Sequence, residues 1–197
     1  MKKKVAVLVS GGGTNLQALL DAQRAGTLGN AEISCVISSK AGVGALERAA
    51  NAGVPSLVLA PKDYASAADF DTALASALDA RAIDLVVLAG YLRIIGAEML
   101  SRYQNRIINV HPSLIPSFCG AGFYGLKVHQ SALDYGVKVT GATVHFVNDV
   151  VDGGKILLQK AVEVLPGDTP ETLQLRVMQE AEWILLPRAV ALLCADQ

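Results

Sequence analysis

The chain has 197 residues, and its 17 Lys and Arg residues are almost balanced by 18 Asp and Glu residues. Hydrophobic residues make up 52% and charged residues 18%, which supplies apolar material for one large core and excludes intrinsic disorder. A net charge of −1 and an aromatic content of 5% argue against a nucleic-acid surface, which needs a basic face or a stacking platform. We therefore expect one globular domain spanning residues 1–197.

Apolar segments alternate with helical patterns through the first ninety residues. The expected strands are 5–9, 33–37, 56–59 and 84–89, and the expected helices are 14–25, 43–51 and 67–80. This alternation indicates βαβ units and a parallel sheet. Because the strands are almost entirely apolar, both faces of that sheet should be covered by helices.

The second half of the chain has a different pattern. A strand at 106–110 is followed by a loop rich in Pro and Gly and by a helix at 126–135. Strands at 138–147 and 155–164 are separated by a short turn with no room for a crossover helix, so they should be antiparallel to a neighbour. A final amphipathic helix is expected at 171–193. The predicted fold class is α/β, a Rossmann-like three-layer fold with a mostly parallel sheet and antiparallel C-terminal strands.

Two features bear on where the protein works. The apolar run 5–9 is too short for a secretory segment, and no run reaches the ~18 residues of a membrane span. The cysteines, Cys35, Cys119 and Cys194, are odd in number and lack CxxC spacing, so neither a disulfide framework nor a zinc site is expected. We interpret the chain as a cytoplasmic protein with no membrane or nucleic-acid partner.

The first candidate site is Ser10-Gly-Gly-Gly-Thr-Asn15, where a strand leads through glycines into a helix N-terminus. Exposed N–H groups and the helix dipole make such a loop a phosphate cradle. A tight turn that merely needs glycine is the alternative. The spacing does not fit a dinucleotide fingerprint, since Leu16 occupies the third Gly position.

The second candidate is a polar cluster after the fifth strand. Asn109 and His111 lie two residues apart and should share one face of that strand. An amide beside an imidazole suits stabilisation of an oxyanion, with the imidazole also exchanging protons. Asp152, in the Asp-Gly-Gly turn 152–154, would favour the protonated imidazole if it lies nearby; a plain β-turn role is the alternative.

The other reactive side chains carry less signal. His129 and His145 show no local metal-ligand spacing, and we expect His145 to be a packed strand residue, with a place at the rim of the site as the alternative. Cys119 could act as a nucleophile with His111 as its base, but its surroundings match no catalytic-cysteine signature.

Taken together, five segments resemble the glycinamide ribonucleotide formyltransferases of purine biosynthesis. They are SGGGTNLQ (10–17), DLVVLAGYLRII (84–95), NVHPSLIPS (109–117), TGATVHFV (140–147) and DGG (152–154), in the order of that family. The resemblance runs from residue 5 to about 190. It implies the formyltransferase fold and 10-formyltetrahydrofolate as co-substrate, with no metal or prosthetic group, and a monomer or homodimer acting on small molecules.

Site roles follow from the resemblance position by position. It implies catalytic roles for Asn109, His111 and Asp152. The acceptor substrate would be held by Gly13, Thr14, Asn15 and Glu182, and the folate by Leu92, Arg93, Ile94, Ile95 and Asn109.

The sequence also departs from the family in three places. Ala67 stands where many members have an Arg that meets the folate's glutamate tail, and Lys62 is a candidate substitute. The loop 117–125, which holds Cys119, is longer than in some members. Trp183 follows Glu182 where His is frequent, and the spacing from Arg176 to Glu182 is one residue longer than in some relatives.

Two other functions stay open. A 10-formyltetrahydrofolate hydrolase would use water as the acceptor, but we would expect a further N-terminal domain before the glycine loop. A non-enzymatic binder of a phosphorylated metabolite would use the glycine loop and leave Asn109, His111 and Asp152 without a task.

Overall fold

The computed structural model describes residues 2–195, and in this range seven strands form one sheet with seven α-helices packed on it. The strands β1 to β7 are Lys3–Val9, Ala31–Ser38, Ser56–Val58, Leu85–Leu88, Ile107–His111, Val139–Phe146 and Ile156–Glu163. The helices α1 to α7 are Thr14–Arg24, Gly44–Asn51, Ala67–Asp79, Ala97–Arg102, Leu126–Tyr135, Pro170–Val177 and Trp183–Cys194.

The strands are arranged in the order β3-β2-β1-β4-β5-β6-β7. Strands β1 to β5 are parallel, whereas β6 pairs antiparallel with both β5 and β7. The predicted parallel sheet with antiparallel C-terminal strands is confirmed. The chain continues from β1 to β2 on one side of the sheet centre and from β4 to β5 on the other side. A crevice therefore opens beyond the carboxyl ends of β1 and β4.

The two faces of the sheet carry separate apolar cores, and β1 contributes to both by alternation. Val5, Val7 and Val9 pack with residues of α1, α2, α6 and α7. Ala6 and Leu8 pack with residues of α3 and α4 on the other face. Helices therefore cover both faces, which confirms the predicted three-layer arrangement.

The expected single helix at 171–193 was wrong, because a π-turn at Met178–Glu182 separates α6 from α7. Buried residues recur here at every fourth position, as in Leu173, Val177, Ala181 and Leu185. In a regular α-helix a four-residue step rotates a side chain by about 40° beyond a full turn. The wider π-turn reverses this drift and returns the apolar side of α7 to the sheet.

Helix α4, at Ala97–Arg102, was not predicted from the sequence. It has only six residues, too few to show a helical period. Within residues 2–195, no helix is both long and apolar enough to cross a membrane.

Candidate active site

The glycine loop lies at the carboxyl end of β1 and leads directly into α1. Gly13 has a φ of 76°, and a Cβ on it would lie 2.7 Å from the Ala45 Cβ, so both conformation and space require glycine. A Cβ on Gly11 or Gly12 would meet no atom within 4 Å. Thr14 begins α1, and no side chain caps this end of the helix. One glycine thus serves the turn, while the first two leave room for a ligand beside the helix N-terminus.

Asn15, in the first turn of α1, meets Glu182 from the π-turn. The Asn15 amide Nδ2 donates a hydrogen bond to Glu182 Oε2 at 2.7 Å, although the residues are 167 positions apart. Glu182 is only 5% exposed. Burial raises the pKa of its carboxyl from 4.5 to about 7, even though the hydrogen bond from Asn15 opposes the shift. The structure therefore brings the predicted residues of the glycine loop and of the late helix together.

Asn109 sits directly opposite His145 in the antiparallel pairing of β5 and β6. His145 Nδ1 is 2.8 Å from the Phe146 carbonyl oxygen, so in the tautomer that donates this hydrogen bond Nε2 is an acceptor. The Asn109 amide Nδ2 lies 3.2 Å from that Nε2 and donates one hydrogen to it. The second amide hydrogen of Asn109 is left for the cleft.

His145 is a buried strand residue, as expected, but the sequence analysis missed its contacts. Besides Asn109, its Nε2 lies 3.6 Å from Asp152 Oδ1. The signal that could have found it is the register of β6 against β5, since an antiparallel partner opposite Asn109 must lie at the same end of the sheet.

His111, the last residue of β5, lies between Asp152 and the loop 117–125. Its Nδ1 is 3.5 Å from Asp152 Oδ2, and its Nε2 is 2.9 Å from the Phe118 carbonyl oxygen. Both ring nitrogens thus lie opposite acceptor oxygens, and each can donate a hydrogen bond when it carries a proton. A ligand oxygen would have to compete with the Phe118 carbonyl for the Nε2 proton.

Asp152 is held in place by its turn and by the same loop. Its Oδ2 accepts a hydrogen bond from the Gly120 N–H at 2.9 Å, and its backbone φ of 55° is left-handed. A Cβ on Gly153 would lie 2.6 Å from Val150, and one on Gly154 would overlap the Phe146 carbonyl oxygen. The glycines let the turn close tightly, and the Asp152 carboxylate at its start lies beside His111 and His145.

The ionisation of Asp152 follows from its surroundings. Burial raises the pKa of this carboxyl, but the contact with His145, the charge of His111 and the Gly120 N–H together outweigh it. The net pKa lies below the ordinary Asp value. Asp152 is therefore an ionised carboxylate at neutral pH, beside two imidazoles.

A cleft of about 720 Å³ connects these groups. One side is the glycine loop, the other is the segment 92–95 after β4, and Asn109, His111 and Asp152 lie between them. Leu92 is 59% and Ile94 82% exposed, whereas Arg93 and Ile95 complete the wall. Five further residues that line the cleft were not predicted from the sequence, namely Tyr91, Val150, Val151, Gln174 and Met178.

A second cavity of about 740 Å³ adjoins the cleft on the far side of the segment 92–95. Ala67 and Arg93 are among its lining residues, and Lys62 is not. Arg93 therefore lines both the cleft and this cavity, whereas Lys62 lines neither.

The remaining candidates fit structural roles. The Cys119 thiol donates to the Pro116 carbonyl oxygen at 3.3 Å, and burial followed by the charge of Asp152 raises its pKa, which opposes a nucleophilic role. His129 is fully buried, and burial together with His111 lowers its pKa to about 4. Among residues 2–195 the three cysteines are free, and no cluster of His, Cys, Asp or Glu is placed to hold a metal ion.

Comparison with known proteins gives a consistent result. The model of a family described as formyl transferase matches residues 3–190. Among curated proteins, the chain is 41% identical over 188 residues to the phosphoribosylglycinamide formyltransferase of Haemophilus influenzae, covering 95% of this chain and 85% of that protein. It is 45% identical over 193 residues to the trifunctional purine biosynthetic protein adenosine-3 of Drosophila melanogaster. That match covers 98% of this chain but only 14% of the relative, so the chain spans about a seventh of the trifunctional protein.

Solved structures show the same likeness in three dimensions. Glycinamide ribonucleotide transformylase 1 from Symbiobacterium toebii is 47% identical with a TM-score of 0.92, covering 98% of this chain and 88% of that one. Phosphoribosylglycinamide formyltransferase from Brucella melitensis is 42% identical with a TM-score of 0.90, covering 100% and 98% of the two chains.

Proposed function

The chain belongs to the formyl transferase family, and from that premise we propose that it transfers a formyl group from 10-formyltetrahydrofolate to the glycyl amine of phosphoribosylglycinamide. The products are formylglycinamide ribonucleotide and tetrahydrofolate, a step of purine biosynthesis. The relatives named for this reaction support the acceptor, and the apolar wall of the cleft supports the folate donor.

One observation carries the proposal. Asn109, His111 and Asp152 converge between two walls of different chemistry, a glycine loop at a helix N-terminus and an exposed apolar segment. The first wall suits a phosphate and the second suits the flat apolar ring system of a folate. A site built in this way holds two different small molecules with their reacting atoms side by side, which is the requirement of a group transfer.

Asn109 and His111 stabilise the charge that develops during the transfer. The amine adds to the formyl carbon, and the former carbonyl oxygen becomes negatively charged. The free hydrogen of the Asn109 amide is directed at this oxygen by the contact with His145. The His111 imidazolium supplies a second donor when the oxygen replaces the Phe118 carbonyl as the partner of Nε2.

Asp152 performs two tasks in this scheme. As an ionised carboxylate 3.5 Å from His111 Nδ1, it stabilises the imidazolium electrostatically. It also accepts the proton that the amine must lose, directly or through a water molecule. When the tetrahedral intermediate collapses, the bond between the formyl carbon and the folate N10 breaks and this proton is delivered to N10. Because the attacking group is the substrate's own amine, no covalent enzyme intermediate is needed.

The walls of the cleft hold the two substrates. We assign the phosphate to Gly13, Thr14 and Asn15, whose backbone N–H groups lie at the start of α1. Glu182 accepts hydrogen bonds from hydroxyl groups of the same substrate. The exposed Leu92 and Ile94 pack on the folate, and the neighbouring residues Arg93 and Ile95 complete its pocket.

Folate turnover by the purified protein, measured with and without phosphoribosylglycinamide, tests the proposal. We expect turnover that depends strictly on the nucleotide and that Asp152→Asn abolishes. Equal turnover without the nucleotide would identify a hydrolase instead. Binding of both substrates by a folded protein with no turnover would contradict an enzymatic function.

We further propose a cytoplasmic location and a monomer or homodimer that acts without nucleic acid. The near-neutral charge and the odd number of cysteines without CxxC spacing support this assignment. Sedimentation of the purified protein measures the oligomeric state, and a larger assembly would contradict it.

A further inference from the structure

The segment 92–96 forms one wall of the cleft but belongs to no helix or strand. It joins β4 to α4, and two of its side chains, Leu92 and Ile94, are exposed rather than packed. Burial anchors one side chain of the segment, Ile95, which is 7% exposed and packs in the same core as Met99. The rest of its path is set by polar contacts at its two ends.

We propose that Ser10 and Asp71 are positioning residues that fix the two ends of this segment and so set the width of the cleft. Neither residue reaches the reacting atoms; both act on backbone N–H groups of the wall. The inference rests on the function proposed above, in which this wall holds the folate.

Ser10 fixes the leading end. It is the last residue before the glycine loop and is only 4% exposed. Its Oγ accepts a hydrogen bond from the Leu92 N–H at 3.0 Å and lies 2.7 Å from the Ser39 hydroxyl at the end of β2. One buried hydroxyl thus connects the carboxyl ends of β1 and β2 to the segment that follows β4. Movement of the glycine loop and of the folate wall is coupled at this atom.

Asp71 fixes the trailing end from α3, on the other face of the sheet. The side chain is 5% exposed, and its two oxygens accept hydrogen bonds from the N–H groups of Gly96 at 2.9 Å and Met99 at 3.0 Å. A Cβ on Gly96 would lie 2.5 Å from the carboxylate carbon. Glycine therefore lets the chain approach the carboxylate closely enough for both bonds.

The two positions make different predictions. Asp71 contacts the folate wall and the first turn of α4 but not the glycine loop, so Asp71→Asn should weaken folate binding alone. The amide keeps one acceptor oxygen but presents a donor to the second N–H. Ser10 joins both walls, so Ser10→Ala should weaken the binding of both substrates. Because the reacting groups are untouched, kcat should change by less than about threefold in both variants. The KM for folate should rise by about tenfold in Asp71→Asn, and the KM values for both substrates should rise by about tenfold in Ser10→Ala.

Amide hydrogen exchange provides a readout that is independent of turnover. Exchange at Leu92 should accelerate by about tenfold in Ser10→Ala, and exchange at Gly96 and Met99 should accelerate similarly in Asp71→Asn. The matched control is Asp79→Asn, because Asp79 also lies on α3 and bonds Arg102 and Tyr103 at the other end of α4. The Asp79→Asn substitution should loosen α4 without changing amide exchange at Gly96 or the KM for either substrate.

The outcomes separate the two proposals. Unchanged exchange at Leu92 and Gly96 in the respective variants, or a fall in kcat with unchanged KM values, would refute the positioning roles. A wild-type protein that consumes no folate would refute the proposed function, while the exchange rates would still decide whether these residues hold the segment. If Asp71→Asn does not fold, Gly96→Ala displaces the same carboxylate from the other side and should give the same selective effect on folate.

Discussion

Replacement of Glu182 by Gln tests whether the buried carboxyl at the end of the cleft is protonated when no ligand is bound. Folding raises its pKa from 4.5 to about 7. Since each pH unit is worth about 1.4 kcal/mol, ionisation of Glu182 in the folded protein costs about 3 kcal/mol. Gln resembles the protonated acid, and its amide can also donate to Asn15 Oδ1, a buried acceptor that has no partner among the described residues.

The direction in which the unfolding free energy changes with pH follows from the linkage between proton binding and folding. A group whose pKa is raised on folding contributes its full stability below the pKa of the unfolded chain and loses it as the pH rises toward the folded value. Between about pH 5 and about pH 8, the unfolding free energy of the wild type should therefore fall by about 2–3 kcal/mol relative to Glu182→Gln. The variant should be the more stable protein at the higher pH.

Urea denaturation followed by circular dichroism, repeated at both pH values, measures this difference. Glu180→Gln is the matched control, because Glu180 is an exposed carboxylate in the same π-turn and its replacement should produce no such gap. A constant difference between wild type and Glu182→Gln across the pH range would refute the reasoning. It would mean that Glu182 stays ionised in the folded state.

Three further predictions concern the loop, the reaction and the C-terminal helices. Asn109→Ala should lower kcat/KM by about 10²–10³-fold with normal folding, and a loss of less than about tenfold would contradict its role as an oxyanion donor. Gly13→Ala should destabilise the fold by about 1–3 kcal/mol in denaturation, because its φ of 76° disfavours a side chain and α2 fills the space, whereas Gly12→Ala should fold normally. Arg176 forms two hydrogen bonds of 2.6 Å to Asp168 and holds the pKa of that carboxyl well below its usual range. This stabilisation exists above the ordinary Asp pKa and is lost in acid, so Arg176→Gln should lower the melting temperature at neutral pH and the gap should close as the pH falls.

The sequence predicts the order of elements and the first half of the sheet because those signals are local. Some signals need only a few neighbouring residues. Examples are the five-residue apolar run before three glycines, and Asn109 and His111 two positions apart at a strand end. The glycine loop and the polar pair could therefore be placed at one edge of the sheet by topology. The position of the Asp-Gly-Gly turn beside them was expected only from the family resemblance.

What the sequence did not reveal depends on contacts between distant segments. His145 contacts both Asn109 and Asp152, and it lies 36 residues from Asn109 in the sequence. The two residues meet because of the register between β5 and β6, which hydrophobic alternation does not fix. The roles of Ser10 and Asp71 are hidden in the same way, since each contacts a backbone N–H of another element. The π-turn escaped detection because the apolar pattern continues unbroken on both sides of it.

The π-turn at Met178–Glu182 also offers a place where this segment could accept a change in length. A turn of this kind contains one residue more than the α-helical turn it replaces. An added residue in a regular helix would rotate everything beyond it by about 100°. A widened turn confines such a residue to the turn itself, so the contact of Glu182 with Asn15 and the packing of α7 on the sheet are kept together. The π-turn between α6 and α7 can therefore gain or lose one residue where this segment borders the cleft.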